Sequence, residues 1–178
     1  MGAYYIYLIS SLPMLSFFSR PPFGLEDFLA KCKGLIPEAE AEFLRDACYK
    51  EVSILNLGAA ASGMLGKWVN FEIALRNELA RGRARRKKID VLKFIHFPDE
   101  PEAYISHVAM AAYRSSSVLE AEKILDRARW DFLESLSLGH YFDFDFLMFY
   151  LLKLKILDRW DKVQKADKEY LFNQVVGN

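Results

Sequence analysis

The chain of 178 residues carries 24 Lys plus Arg and 24 Asp plus Glu, so its formal net charge is zero. This balance argues against a general nucleic-acid binder, which needs an excess of positive charge to displace counterions from the phosphates. Hydrophobic residues make up 52% of the chain and aromatic residues 15%, which is ample for the core of one domain.

The first 24 residues predict an N-terminal arm that packs across the core. They open with MGAYYIYLISSLPML, an aromatic and β-branched stretch that suits a short extended segment or one turn of helix. Residues 1–19 lack both the Lys or Arg and the cleavage site of a signal peptide, and Pro13 interrupts the hydrophobicity of a membrane span. We therefore expect a cytoplasmic protein. The alternative to an arm that completes the core is an arm that docks on a partner.

Two helices are predicted next, before a glycine-rich bend. The first covers residues 25–33 and stops around Gly34, and the second covers residues 38–56. Cys32 and Cys48 lie in these helices, far from any metal-ligand spacing. They indicate buried, reduced thiols.

Residues 64–82 form the clearest helix of the sequence. Glu72 and Arg76 lie four residues apart with the acid first, which is the favourable order for an ion pair on a helix. The pair is either internal or solvated, or it meets the charges of another protein. Apolar residues at helical spacing predict one buried stripe on this helix: Met64, Trp68, Phe71, Leu75 and Leu79.

A strongly basic run follows this helix. Residues 81–88 read RGRARRKK, with six cationic side chains in eight positions. Such a run is most often a solvated helix end or loop. An acidic protein surface and nucleic acid are the alternatives that would use the charge.

The C-terminal third predicts two long helices around an aromatic turn. Ser117 caps the first of them, which Gly139 ends, and Asp143 or Asp145 caps the second. Residues 144–152 are apolar except for Asp145, so the start of the last long helix is expected to be buried nearly all round. The tail, residues 167–176, suits one further short helix.

No catalytic or metal-binding pattern is present in the sequence. The three histidines are isolated from one another and from the cysteines, and none falls in an HExxH motif. His140, Asp143 and Asp145 are close in sequence, but capping explains the two acids. The sequence therefore predicts no enzyme, no cofactor, no metal and no small-molecule substrate. A site assembled from distant residues is the enzymatic alternative.

Three segments resemble a small bacterial family whose genes sit among those of V-type (A/V-type) rotary ATPases. They are the opening YYIYLISSLPML, WVNFEIALRNELARG at 68–82, and HYFDFDFLMFYLLKLKILDRW at 140–160. The last two also resemble helices of the central-stalk socket, the all-helical component that joins the rotor of the catalytic head to the membrane ring. Asn70, Glu72 and Arg76 match the helix pattern of that component. Aligning the two segments suggests an internal repeat around 64–82 and 143–165.

The resemblance implies an all-α, single-domain bundle of about six to eight helices spanning residues 1–178. It further implies a non-catalytic subunit or assembly factor that contacts V-type ATPase subunits and meets the membrane only through the complex, at the inner membrane. The alternative is a free-standing adaptor or regulatory module that binds an acidic protein or RNA through residues 81–88. The expected partner-binding residues are Glu72, Arg76, Arg81, Arg83, Arg85, Arg86, Lys87, Lys88, Lys155 and Arg159.

Overall fold

The computed structural model describes residues 4–50, 63–91, 94–95 and 102–176, and their side chains as far as residue 166. Across these residues the chain forms seven α-helices and no strand, which confirms the predicted all-α domain and helix number. The helices are α1 (Tyr5–Ser11), α2 (Leu25–Cys32), α3 (Glu38–Tyr49), α4 (Met64–Lys87), α5 (Ala103–Arg114), α6 (Val118–Ser137) and α7 (Phe144–Val176). The predicted glycine-rich bend lies mostly outside the described residues.

The chain divides into two compact units within this domain. Residues 1–51 and 136–178 form the first unit, and residues 52–135 form the second. The first unit therefore contains α1, α2, α3 and α7, whereas the second contains α4, α5 and nearly all of α6.

The N-terminal half of α7 is the core of the first unit. Its residues are buried without interruption from Leu147 to Leu152, as the apolar run predicts, and α2 and α3 both pack against it. The ring of Phe28 in α2 is fully buried and stacks on Tyr150 with the ring centroids 5.4 Å apart. The first unit is therefore built around this half of α7, and the shorter helices cover its apolar surface.

The N-terminal arm contributes to the same core. Its helix α1 buries Leu8 and Ile9, and the Tyr150 hydroxyl donates a hydrogen bond of 2.9 Å to the carbonyl of Pro13. Further along, the ring of Phe18 lies 4.9 Å from that of Trp160. The arm is thus packed onto α7 as part of the first unit.

Aromatic stacking joins α4 to α6 in the second unit. The rings of Phe71 and Phe132 are nearly parallel, at 10°, with centroids 4.1 Å apart. Of the predicted α4 stripe, Trp68, Phe71 and Leu75 are buried, and its two end members are half-buried. An offset aromatic pair of this kind adds roughly 0.5–1.5 kcal/mol to the stabilisation from burial.

Local capping sets the ends of the last two helices as predicted. The backbone amide of Glu120 donates to the Ser117 hydroxyl over 3.1 Å at the start of α6. The amide of Phe146 donates to Asp143 over 2.9 Å at the start of α7, so Asp143 is the cap. Gly139 has a φ of +91°, the left-handed conformation that terminates a helix.

Two helices are longer than the sequence prediction. α4 continues through the basic run to Lys87 and ends at Lys88, whose φ is 54°. α7 continues to Val176, where the sequence suits a separate short helix. Neither Gly nor Pro occurs between residues 144 and 176, so nothing there terminates the helix. No helix among the described residues, α7 included, is long and apolar enough to cross a membrane.

Both cysteines are buried, as predicted. Burial raises the pKa of the Cys32 thiol to about 12. It also raises the pKa of the Cys48 thiol, although the nearby Lys155 opposes this effect. Because the thiolate is the reactive form, both side chains are chemically inert in the folded protein.

Phe28→Ala tests the core of the first unit. We expect a loss of about 3–5 kcal/mol in the free energy of unfolding, measured by urea denaturation, because the substitution empties a fully buried site. Ile6→Ala is the control, since that side chain is 66% exposed in α1. Its effect is expected to stay within about 0.5 kcal/mol. Equal losses in the two variants would contradict the assignment of the core.

Candidate functional site

Glu72 is buried on α4 and pairs mainly with a residue that the sequence pattern does not single out. Its Oε1 accepts a hydrogen bond of 2.8 Å from Nε of Arg129 in α6. The predicted partner, Arg76, is farther away, with its Nε 3.9 Å from Oε2 of Glu72 and its side chain 50% exposed. The stronger interaction of Glu72 is therefore internal to the second unit.

Arg129 also binds the fully buried Asp126. Its Nη1 donates to Oδ1 of Asp126 over 2.8 Å, three residues earlier on α6. Burial opposes the charged form of the guanidinium, but the carboxylates of Glu72 and Asp126 outweigh that effect and raise the pKa of Arg129. We call Glu72, Asp126 and Arg129 the Arg129 cluster. Its geometry indicates a structural role, because each carboxylate is directed at the guanidinium.

Arg81 likewise has a partner within the second unit. Its Nη1 lies 2.6 Å from Oε1 of Glu78, and the other oxygen of Glu78 accepts a bond of 3.1 Å from the Ser106 hydroxyl on α5. Arg81 therefore helps to join α4 to α5. This arrangement separates it from the rest of the basic run.

The remaining cations of the run are exposed at the C-terminal end of α4. They are Arg83, Arg85, Arg86, Lys87 and Lys88, and we call them the basic end. No carboxylate in the described parts of the chain forms an ion pair with any of them. The helix dipole places only about −0.5 charge at this terminus, against five positive charges. Most of the positive charge is therefore not compensated locally.

The other two predicted contact residues, Lys155 and Arg159, belong to α7 in the first unit. Lys155 donates from Nζ to the carbonyl of Ala47 over 2.6 Å and lies 3.4 Å from the carbonyl of Lys50. It thereby binds carbonyls at the C-terminal end of α3, where a cation is favoured. Arg159 is exposed.

The turn before α7 holds a small polar group. Nδ1 of His140 lies 2.6 Å from Oδ2 of Asp143 and 3.6 Å from Oδ2 of Asp145. Desolvation raises the pKa of Asp145, and the neighbouring His140 opposes this effect. Within the described ranges, no group of three or more His, Cys, Asp or Glu residues has the arrangement of a metal site.

Comparison with known proteins gives one partial match. A family model described as "Protein of unknown function (DUF2764)" matches residues 103–178, which include α5, α6 and α7. No curated protein and no solved structure matches the chain significantly. The match thus covers Arg129, Lys155 and Arg159 but not α4, and its description assigns no activity to them.

Arg129→Ala tests the structural role of the cluster. We expect it to lower the free energy of unfolding by about 3–5 kcal/mol, because it removes the cation between two buried carboxylates. Arg76→Ala is the matched control and is expected to cost about 0–1 kcal/mol, since its carboxylate neighbour is distant and its side chain half-exposed. Urea denaturation of both variants provides the measurement. A larger loss for Arg76→Ala would reverse the assignment.

Proposed function

We propose that the chain is a non-catalytic subunit or assembly factor of a bacterial V-type rotary ATPase, similar to the socket component of its central stalk. It couples other subunits through protein–protein contacts and takes a cytoplasmic position at the inner membrane as part of the complex. The resemblance of residues 68–82 and 140–160 supports the choice of complex. The exposed basic end of α4 supports the mode of action.

The basic end is the observation that carries this proposal. A helix fixes successive residues 1.5 Å apart along its axis, so the four helical cations lie within about 6 Å along α4. Like charges at this spacing repel one another, and an acidic surface on a partner would relieve that repulsion. A surface of this kind also accelerates encounter with an oppositely charged protein.

The predicted contact residues take two different roles in this proposal. Glu72, Arg81 and Lys155 each have a partner within the chain, and we assign them to holding the helices in place. The basic end supplies the contacts with the partner. Arg76 and Arg159 are exposed on α4 and α7, and both remain in the proposal as additional contacts.

A second candidate rests on the same observation. A free-standing adaptor that binds an acidic protein or RNA would also use the exposed cations of the basic end. RNA binding by such a surface would fall steeply with salt, because each phosphate contact releases counterions. A titration of a labelled RNA at low and high salt separates this candidate from the ATPase role, for which we expect no binding even at low salt.

The double variant Arg85→Glu/Arg86→Glu tests the proposal in the native host. We expect the tagged wild-type protein to recover ATPase head or membrane-ring subunits in stoichiometric amounts, as identified by mass spectrometry. Reversing two contacts is expected to reduce this recovery by roughly tenfold or more. The far-UV circular dichroism should not change, because neither side chain has an ion-pair partner among the described residues.

Arg20→Glu/Lys33→Glu is the control for that experiment. It makes the same change in net charge at two exposed positions of the first unit, and we expect normal recovery of the ATPase subunits. Normal recovery by Arg85→Glu/Arg86→Glu would remove the basic end from the proposal. Failure of the wild-type protein to recover any part of an intact ATPase would contradict the ATPase role itself.

A further inference from the structure

The C-terminal ends of α4 and α5 lie beside each other. The Ser106 hydroxyl donates to Glu78 over 3.1 Å. Further along both helices, a methyl group on Gly82 would lie 3.6 Å from Cδ2 of Tyr113. The contacts advance together toward both C-termini, so α4 and α5 run in the same sense here. The Tyr113 ring therefore lies directly against α4, one residue before the basic end begins.

The exposed face of α5 continues the surface of the basic end. Met110 is 40% exposed and Tyr113 is 44% exposed, although both side chains are largely apolar. Arg114 is exposed and follows Met110 by four residues, which makes them neighbours on the helix. No described carboxylate forms an ion pair with Arg114.

We propose that this combined surface binds an acidic amphipathic helix of a partner protein. The surface consists of the basic end together with Met110, Tyr113 and Arg114. Two helix dipoles place roughly −1 charge at this end, against six positive charges, so the surface complements an acid-rich segment. The identity of the partner as an ATPase subunit rests on the proposed function, whereas the chemistry of the segment rests on this surface alone.

The pattern of the surface favours a helix over other anionic partners. Met110 and Tyr113 are apolar positions three residues apart, and Arg114 lies beside them on the same helix. A helix with an apolar stripe and acids along its edge matches this arrangement, since the stripe packs on Met110 and Tyr113 while its carboxylates pair with the arginines. Tyr is an effective anchor at interfaces, and the flexible Met side chain adapts to the partner's shape. Nucleic acid offers uniform charge without such a stripe.

Site-specific photo-crosslinking in the native host tests the proposal. A benzophenone amino acid replaces Met110 in the full-length chain, and mass spectrometry identifies the crosslinked peptide. We expect a segment of another protein that has Asp or Glu along one side of a helix and apolar residues along the other. The same replacement at Met14, which is 94% exposed in the first unit, is the matched control and should not capture this segment.

Charge reversal in the same crosslinking strain makes the test specific. Arg83→Glu/Arg114→Glu is expected to lower the yield of the Met110 adduct by roughly tenfold, and Arg20→Glu/Lys33→Glu is expected to leave it unchanged. Circular dichroism of each purified variant establishes that it is folded. An unchanged yield in folded Arg83→Glu/Arg114→Glu would overturn the electrostatic part of the proposal.

The remaining outcomes separate this inference from the proposed function. Adducts with lipid, nucleic acid, a second copy of the chain or a segment without acids would each overturn it. So would the absence of a Met110 adduct while ATPase subunits still co-purify, and that result would leave the ATPase role standing. An adduct with an acidic helix of a protein outside the ATPase would support this surface and contradict the proposed function.

Discussion

The pairing of Arg129 with two buried carboxylates is the interaction on which the second unit most depends. Glu72 is on α4, whereas Asp126 and Arg129 are on α6, so one guanidinium ties the two helices together. Burying these charges without partners would be strongly unfavourable. The α4–α6 arrangement must therefore keep all three in contact, and this requirement restricts both the register and the rotation of α4. The nearby stacking of Phe71 on Phe132 is compatible with only a narrow range of such arrangements.

The rotation of α4 in turn decides what its C-terminal half presents. Arg81 bonds to Glu78, and Gly82 receives the ring of Tyr113, so these positions are committed to the α4–α5 contact. The next cations, beginning at Arg83, have no such commitment and are exposed. A run with six cationic residues is thus divided by the fold into one structural arginine and five residues able to meet a partner. Net charge alone hides this division, because the whole chain is neutral.

Local signals in the sequence predict much of the fold. The caps at Ser117 and Asp143 and the stop at Gly139 depend on residues within a few positions, and all three are confirmed. The buried part of the α4 stripe is also predictable, since it needs only helical periodicity. The continuous length of α7 could have been inferred from its lack of Gly and Pro.

The partners of charged residues could not be predicted in the same way. Glu72 and Arg129 are separated by 57 positions, and nothing local in either helix specifies their contact. The one available signal was the presence of Asp126 and Arg129 three residues apart within a helix that has a clear apolar face. Lys155 is similar, since it binds a carbonyl of α3 that lies 108 positions earlier. A surface such as the basic end is easier to recognise, because a run of like charges is exposed wherever its helix lies.

A double-mutant cycle between Glu72 and Arg129 tests the central claim most directly. Glu72→Gln, Arg129→Met and the double variant are compared with the wild type by urea denaturation. We predict a coupling free energy of at least about 1.5 kcal/mol, with the double variant more stable than additivity of the single variants allows, because replacing both partners leaves fewer buried charges unpaired. A coupling energy within about 0.3 kcal/mol of zero would show that the two residues act independently. That result would contradict the pairing as the constraint that positions α4.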